Sequence, residues 1–175
     1  LGNAQRDDSS ANLVDGSLYA YAPAVGSYHC PSDRAKTKGN FPLLHTRSYS
    51  VQWWLGGDFT VNGQVWADPN PRGQVRKWNA GQIAAPGPAE IFVLIDDHEQ
   101  SVDDGIFVIG GCEWFDYPAD RHRRGANLSF LDGHVEGHRW VIAKVVPWDW
   151  NYYLNPVWSR EVPDHAWLAA HLPAR

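Results

Sequence analysis

The chain of 175 residues is 43% hydrophobic and 20% charged. That composition fits one globular domain burying roughly 70% of its unfolded surface and does not fit a disordered segment. A net charge of −5 argues against a general nucleic-acid-binding surface, and no run of about 18 apolar residues is present to form a transmembrane helix.

Ten Trp, 16 Gly and 12 Pro, with no Met, tilt the composition toward β structure joined by many loops. No signal peptide is visible, and the start at Leu-Gly-Asn without Met leads us to expect a processed or truncated piece of a longer product. Leu1 to Asn12 are polar and are expected to form a mobile end, leaving a single domain over residues 13–175. Leu13, Leu18, Tyr19 and Tyr21 suit a short helix ended by Pro23, and Ser27 to Cys30 reads as a strand broken by Pro31-Ser32-Asp33. Arg34 to Asn40 then reads as an exposed loop.

Arg47 to Trp54 is predicted as a strand with Tyr49, Val51 and Trp53 on one side and Ser48, Ser50 and Gln52 on the other. Gly56 to Gly73 reads as a long loop containing a small hairpin about Asn62-Gly63. The continuous apolar run Ile91 to Ile95 suits a central strand covered on both faces, and it ends in Asp96-Asp97-His98-Glu99, where functional groups often sit. Ile106 to Ile109 is a further short strand, closed by Gly110-Gly111.

Asp120 to Trp140 reads as a β-hairpin, because residues alternate in polarity about Asp132-Gly133, a pair suited to a two-residue type I′ turn. That turn sets Phe130 opposite Val135, Ser129 opposite Glu136, Leu128 opposite Gly137 and Asn127 opposite His138. Ala126, Leu128, Phe130 and Val135 then face the core, and Asn127, Ser129, His134, Glu136 and His138 form a polar face. The basic residues Arg121, His122, Arg123 and Arg124 read as the solvated start of the hairpin. Val141 to Trp158 is an aromatic loop region, and Asp164 is placed to N-cap a helix over His165 to Leu172.

His134 and His138 with Glu136 between them suggest a zinc hydrolase only if helical; in a strand they stand about 13 Å apart. Likewise His122 and Asp132, at opposite ends of an extended segment, cannot form a catalytic pair, so His122 is expected to anchor the start of the strand to a backbone carbonyl or to a carboxylate after the central strand. Asp96, Asp97, Glu99, Asp103 and Asp104 place five carboxylates within nine residues, a composition compatible with a hard cation such as calcium and equally with a solvated loop. Cys30 and Cys112 lie outside any metal-like spacing; they are a disulfide candidate, or two buried small hydrophobes, or one of them pairs with a cysteine outside this sequence. Ser48 and Ser50 lie in a strand and lack a nucleophile motif. Exposed Trp side chains would suit a carbohydrate-binding module, whereas packed ones would serve the core.

Separated fragments resemble one family. Tyr28-His29-Cys30-Pro31-Ser32-Asp33 is similar to a Cys-Pro-Ser-Asp signature, and Arg47-Ser48-Tyr49-Ser50 to an Arg-Ser-Tyr strand. Pro86 to Asp96 resembles a strand closed by Asp, His122 to Asp132-Gly133 carries H-x(9)-D-G, and Asp164 to Trp167-Leu168 resembles an Asp-x-x-Trp-Leu ending. In this order, over Leu13 to Leu172, they resemble the prepilin-type processing-associated H-x(9)-D-G domain of pseudopilin-like proteins, whose motif residues here are Cys30, Pro31, Ser32, Asp33, His122, Asp132 and Gly133.

The resemblance implies an α+β, β-rich head with an antiparallel sheet and short flanking helices. It implies a non-enzymatic structural subunit of a type II secretion or type IV pilus-like filament, with a carbohydrate-binding module or a metal-dependent hydrolase as the alternatives. Its partners would be other pilin-like subunits, and its membrane contact a hydrophobic helix outside this sequence, cleaved by a prepilin peptidase. The protein would then be exported to the periplasm or cell surface, anchored in the inner membrane before assembly, with no nucleic-acid partner. No cofactor is implied beyond a loop calcium of the kind related pseudopilins bind.

Overall fold

The computed structural model describes residues 6, 9–38, 40, 42–55, 60–61, 64–65, 79–83, 85–146 and 155–173. In chain order these form α1 (Ala11–Val14), 3-10 turns at Ser17–Ala20 and Val25–Tyr28, and β1 (Tyr49–Gln52). A small hairpin of β2 (Thr60–Val61) and β3 (Gln64–Val65) follows, then 3-10 turns at Ala80–Gln82 and Pro88–Glu90. After these come β4 (Phe92–Asp96), β5 (Ile106–Phe107), β6 (Glu113–Trp114), β7 (Gly125–Phe130), β8 (Val135–Arg139), β9 (Asn155–Pro156) and α2 (Val162–Ala170). The α+β class expected from the sequence is the class observed. Within the Gly56 to Gly73 loop β2 and β3 pair with Val61 opposite Gln64; Asn62-Gly63, the rest of that loop, and most of the polar end Leu1 to Asn12 lie outside the described residues.

A five-stranded sheet in the order β5-β1-β4-β7-β8 organises the domain. β4 lies at its centre, where the apolar run placed it, with Phe92 and Ile95 fully buried. The sheet is mixed rather than antiparallel: β1 runs antiparallel to β4 but parallel to β5. The chain reverses after β4 as a hairpin would, but β1 already occupies that edge, so β5 lands one strand further out. α2 and the chain between β5 and β7 close the core, where Trp54, Trp114, Trp140, Tyr117, Phe107, Leu128 and Leu168 pack with the central strand. Each large apolar side chain so buried contributes roughly 1.5–3 kcal/mol.

Three local expectations are corrected. Ser27 to Cys30 is not a strand, since Val25–Tyr28 forms a 3-10 turn. In β1 it is the polar side, Ser50 and Gln52, that is buried, while Tyr49 and Val51 are half-buried. The interior on that side supplies polar partners, as when the Gln52 amide donates to the carbonyls of Phe92 (2.7 Å) and His171 (3.3 Å). Finally, α2 begins at Val162, so Asp164 sits in its first turn and does not cap it. Its carboxylate instead accepts the Val141 N–H (2.8 Å) and the Lys144 ammonium (2.5 Å). That lysine, fully buried, lies over the rings of Trp114 and Trp140 at 5.4 and 5.3 Å.

The hairpin exists, with its pairing shifted by one residue. Ser129 faces Val135, Leu128 faces Glu136 and Ala126 faces His138. Three residues, Leu131-Asp132-Gly133, make the loop instead of two, and Gly133 at φ +94° supplies the left-handed position that such a loop needs. The slip leaves β7 in place and turns β8 over: Phe130 stays buried, while Val135 is 67% exposed. His134 and His138 thereby come to the side of Ala126, Leu128 and Phe130. The His134 ring stacks on Phe130 at 4.4 Å, and His138 stacks on Trp167 of α2 at 3.6 Å. Imidazole rings lying flat on aromatic partners replace the apolar contact expected from Val135. His134 and His138 are thus strand residues engaged separately, and no zinc pair is formed by them.

The start of β7 has the least room. A Cβ at Gly125 would lie 2.3 Å from the carbonyl oxygen of His138, a backbone atom that cannot swing aside. Gly125→Ala is therefore expected to destabilise the domain by about 1–3 kcal/mol in urea unfolding, and an unchanged midpoint would mean that β7 and β8 are free to separate there.

Candidate functional site

Cys30-Pro31-Ser32-Asp33 forms a β-turn closed by the Asp33 N–H donating to the Cys30 carbonyl (2.9 Å). Pro31 at the second position favours this turn, which leaves Pro31 and Ser32 exposed and turns Cys30 and Asp33 into the protein. Ser48, just before β1, fastens them: its hydroxyl donates to Asp33 Oδ2 (2.7 Å) and accepts the Cys30 N–H (3.1 Å).

Asp96 at the end of β4 and the turn at 121–124 complete the centre. Arg123 and Arg124 adopt left-handed backbone, with φ 55° and 65°. The sharp turn that results carries Arg121 and His122 inward. The Arg121 guanidinium lies 3.2 Å from Asp96, 3.4 Å from Glu99 and 3.7 Å from Asp33, and donates to the Asp97 carbonyl at 2.7 Å. Arg121 is thus not part of a solvated basic cluster; its guanidinium packs against two buried carboxylates that call for a cation. Asp96 Oδ2 accepts from the Asn127 N–H (3.0 Å) and the Asn127 amide (3.2 Å) and lies 3.1 Å from His122 Nε2. His122 therefore meets a carboxylate at the end of the central strand, an anchor of the kind its position suggested.

The same nitrogen, Nε2, is 3.4 Å from Cys30 Sγ. Cys30, Asp96 and His122 form the one group among the described residues whose donor atoms are mutually close enough for a metal, all within 4.8 Å. Tyr49 lies beside them, its hydroxyl pushed up to about 12 by burial and by the neighbouring Asp96 and Cys30.

Asp132 and Gly133 are remote from this centre in function. They occupy the exposed tip of the β7–β8 hairpin, where Asp132 Oδ1 accepts the His134 N–H (3.1 Å) and lies 2.6 Å from His134 Nδ1. Those hydrogen bonds hold the Asp132 carboxyl below its usual range. The Cys30–Cys112 candidate disulfide is not formed: both thiols are free, Cys30 buried and Cys112 exposed.

The five acidic residues do not converge as a calcium site. Successive residues of an extended chain point to opposite faces, so Asp96 turns toward His122 and Asn127 while Asp97 turns toward Ser50 (2.7 Å) and Ser101 (2.8 Å). Glu99 lies at Arg121. Asp103 and Asp104 close their own turn, with the Asp104 N–H on Asp103 Oδ1 and the Ile106 N–H on Asp104 Oδ1, and Arg47 donates to the Asp103 carbonyl.

A residue outside the expected set joins this acidic region. Asp116 is buried, accepts the Val108 N–H through Oδ2 (2.7 Å), and has no hydrogen-bond partner on Oδ1. Burial, then the nearby Asp97 and Asp103, raise its carboxyl well above the usual range. Burial likewise lifts Asp97 to about 8 and, with Asp103, Asp104 to about 6. Of the described Trp residues only Trp158 is exposed, at 63%; Trp54, Trp114 and Trp140 are core. A stacking platform for sugars is therefore not assembled among the described residues.

Two outcomes follow from these charges. Arg121→Met, which keeps the bulk but removes the cation, is expected to cost about 3–5 kcal/mol in chemical denaturation because Asp33 and Asp96 lose their buried counter-charge; a loss under 1 kcal/mol would mean that solvent already neutralises them.

Asp116→Asn addresses the raised carboxyl. The native state holds a proton that the unfolded chain releases above its ordinary carboxylate pKa, so stability falls as pH rises beyond that value toward the raised native one. Asn removes this loss. Its stabilising effect should accordingly be larger at pH 8 than at pH 5, and urea midpoints showing the opposite order would contradict a protonated Asp116. Compared with known proteins, the chain matches no protein-family model, no curated protein and no solved structure.

Proposed function

We propose that this chain is the globular head of a pilin-like, non-enzymatic structural subunit, of the class that assembles into type II secretion or type IV pilus-like filaments. The observation that carries the reading is the convergence of its motif fragments. Cys30 and Asp33 of the Cys-Pro-Ser-Asp turn, Ser48 and Tyr49 of the Arg-Ser-Tyr strand, Asp96 at the end of the central strand, and His122 of H-x(9)-D-G meet in one buried polar centre. Asp132-Gly133 of the same motif shapes the hairpin loop, and Asp164 of the C-terminal fragment binds Val141 and Lys144. The buried motif residues Cys30, Asp33 and His122 are occupied in holding chain segments together, which supports an architectural role.

The ring geometry at His122 also favours a structural reading over thiol catalysis. In a nucleophile–His–carboxylate triad the base faces the nucleophile with one nitrogen and the orienting carboxylate with the other. Here Cys30 and Asp96 both face Nε2. In this reading membrane attachment belongs to an N-terminal helix of the pilin-like class; no helix among the described residues is long and apolar enough to cross a membrane.

The test is the full reading frame and its product. Expression of the whole gene should yield a protein with an apolar helix ahead of Leu1, a mature N-terminus created by peptidase cleavage and detected by mass spectrometry, and recovery in the inner-membrane fraction. A reading frame in which Leu1 directly follows a cytoplasmic start would sink the proposal.

A further inference from the structure

We infer that Cys30, Asp96 and His122 form a binding site for a borderline-soft divalent transition metal of the zinc class. The inference stands apart from the filament reading. It rests on three donors brought together from three separate segments, the turn at 30–33, the end of β4 and the turn at 121–124.

The spacing is the first argument. In a tetrahedral zinc site with Zn–S about 2.3 Å and Zn–N or Zn–O about 2.0–2.1 Å, neighbouring donor atoms lie roughly 3.3–3.6 Å apart. Here Sγ to Nε2 is 3.4 Å and Oδ2 to Nε2 is 3.1 Å. Small adjustments convert these contacts into edges of a coordination tetrahedron.

The proton count is the second. A neutral imidazole nitrogen either carries a hydrogen or presents a lone pair. If Nε2 is protonated, its hydrogen goes to the Asp96 carboxylate and the sulfur beside it gains little from the ring. If it is not, its lone pair opposes the carboxylate oxygen at 3.1 Å. A cation gives all three donors one shared partner: the Cys30 thiol gives up its proton to solvent, His122 binds through the Nε2 lone pair with its ring proton on Nδ1, and Asp96 binds as the carboxylate.

The surroundings fit as well. Ligating carboxylates are normally oriented by further hydrogen bonds, and Arg121 lies on Asp96 Oδ1 while Asn127 donates twice to Oδ2. Those Asn127 contacts share the ligating oxygen and weaken it as a donor. The His122 side chain is 29% exposed, which leaves a fourth position to water. The donor set, one sulfur, one nitrogen and one oxygen, selects zinc, cobalt or a similar ion over calcium and magnesium, which take oxygen alone.

Cobalt(II) and zinc(II) titrations of the purified chain test this. Cobalt should bind at one ion per chain with a thiolate-to-cobalt charge-transfer band in the near ultraviolet, zinc should displace it, and zinc should raise the unfolding temperature. Cys30→Ser should abolish the band, His122→Gln should weaken cobalt binding by at least about 10-fold, and Cys112→Ser should leave both band and affinity unchanged. Absence of the band in the wild type overturns the proposal, as does its survival in Cys30→Ser or its loss in Cys112→Ser. If circular dichroism shows Cys30→Ser unfolded, His122→Gln decides on the partly exposed ligand, and unchanged cobalt affinity there also overturns it.

Discussion

The fold depends on how the Asp33 and Asp96 carboxyl groups are partnered inside it. Moving a carboxylate out of water costs several kcal/mol, and that cost is offset only where a cation and hydrogen-bond donors are held in good geometry. Arg121 supplies the cation to both, and Ser48 and Asn127 supply the donors. Because the donors come from the start of β1 and from β7, satisfying the charges aligns those strands with β4. The centre is therefore a register device as much as an ion pair: a strand displaced by one residue would leave a buried carboxylate without a partner.

The domain handles its other buried charges differently. Lys144 and Asp164 neutralise each other directly, and the ammonium also faces two indole rings, so the pair tolerates complete burial. In the Asp97, Asp104 and Asp116 region burial outweighs the pull of Arg121 on Asp97 and of Arg47 on Asp104, and all three carboxyls are shifted upward. The His138 ring on Trp167 shows the reverse case, burial holding the imidazole below its usual pKa. Acid and alkali thus act on different parts of the molecule.

Much of the scaffold was legible in the sequence. The continuous apolar run Ile91 to Ile95 marks a central strand because only a doubly covered strand can use it, and alternation about Asp132-Gly133 marks the hairpin. The exact pairing was not legible, since Asp-Gly serves two-residue and three-residue loops alike, and the choice is made by aromatic partners on α2 far away in the chain. Nor was the inward face of β1: alternation separates Ser48, Ser50 and Gln52 from Tyr49, Val51 and Trp53, but only Asp33, Asp97 and the Phe92 carbonyl make the polar side the buried one. Arg121 was hidden among three other basic residues. The signal that could have singled it out is charge balance, since carboxylates at the ends of core segments demand a cation nearby. The acidic run misled for a related reason, because adjacency along an extended chain separates side chains to opposite faces.

The Gln52 amide that reaches the His171 carbonyl has a consequence for how the chain folds. That bond spans 119 residues, and the Cys30 to His122 contact spans 92. Contacts of such long range reward the chain only after large loops have closed, and domains dominated by them fold slowly. During synthesis the polar inner face of β1 finds Asp33, Asp97 and the Phe92 carbonyl early, but the link from Gln52 to the end of α2 must wait for His171. Until then Leu168 and Leu172 cannot cover the core, so the apolar side of the sheet stays open for as long as the C-terminal residues are missing.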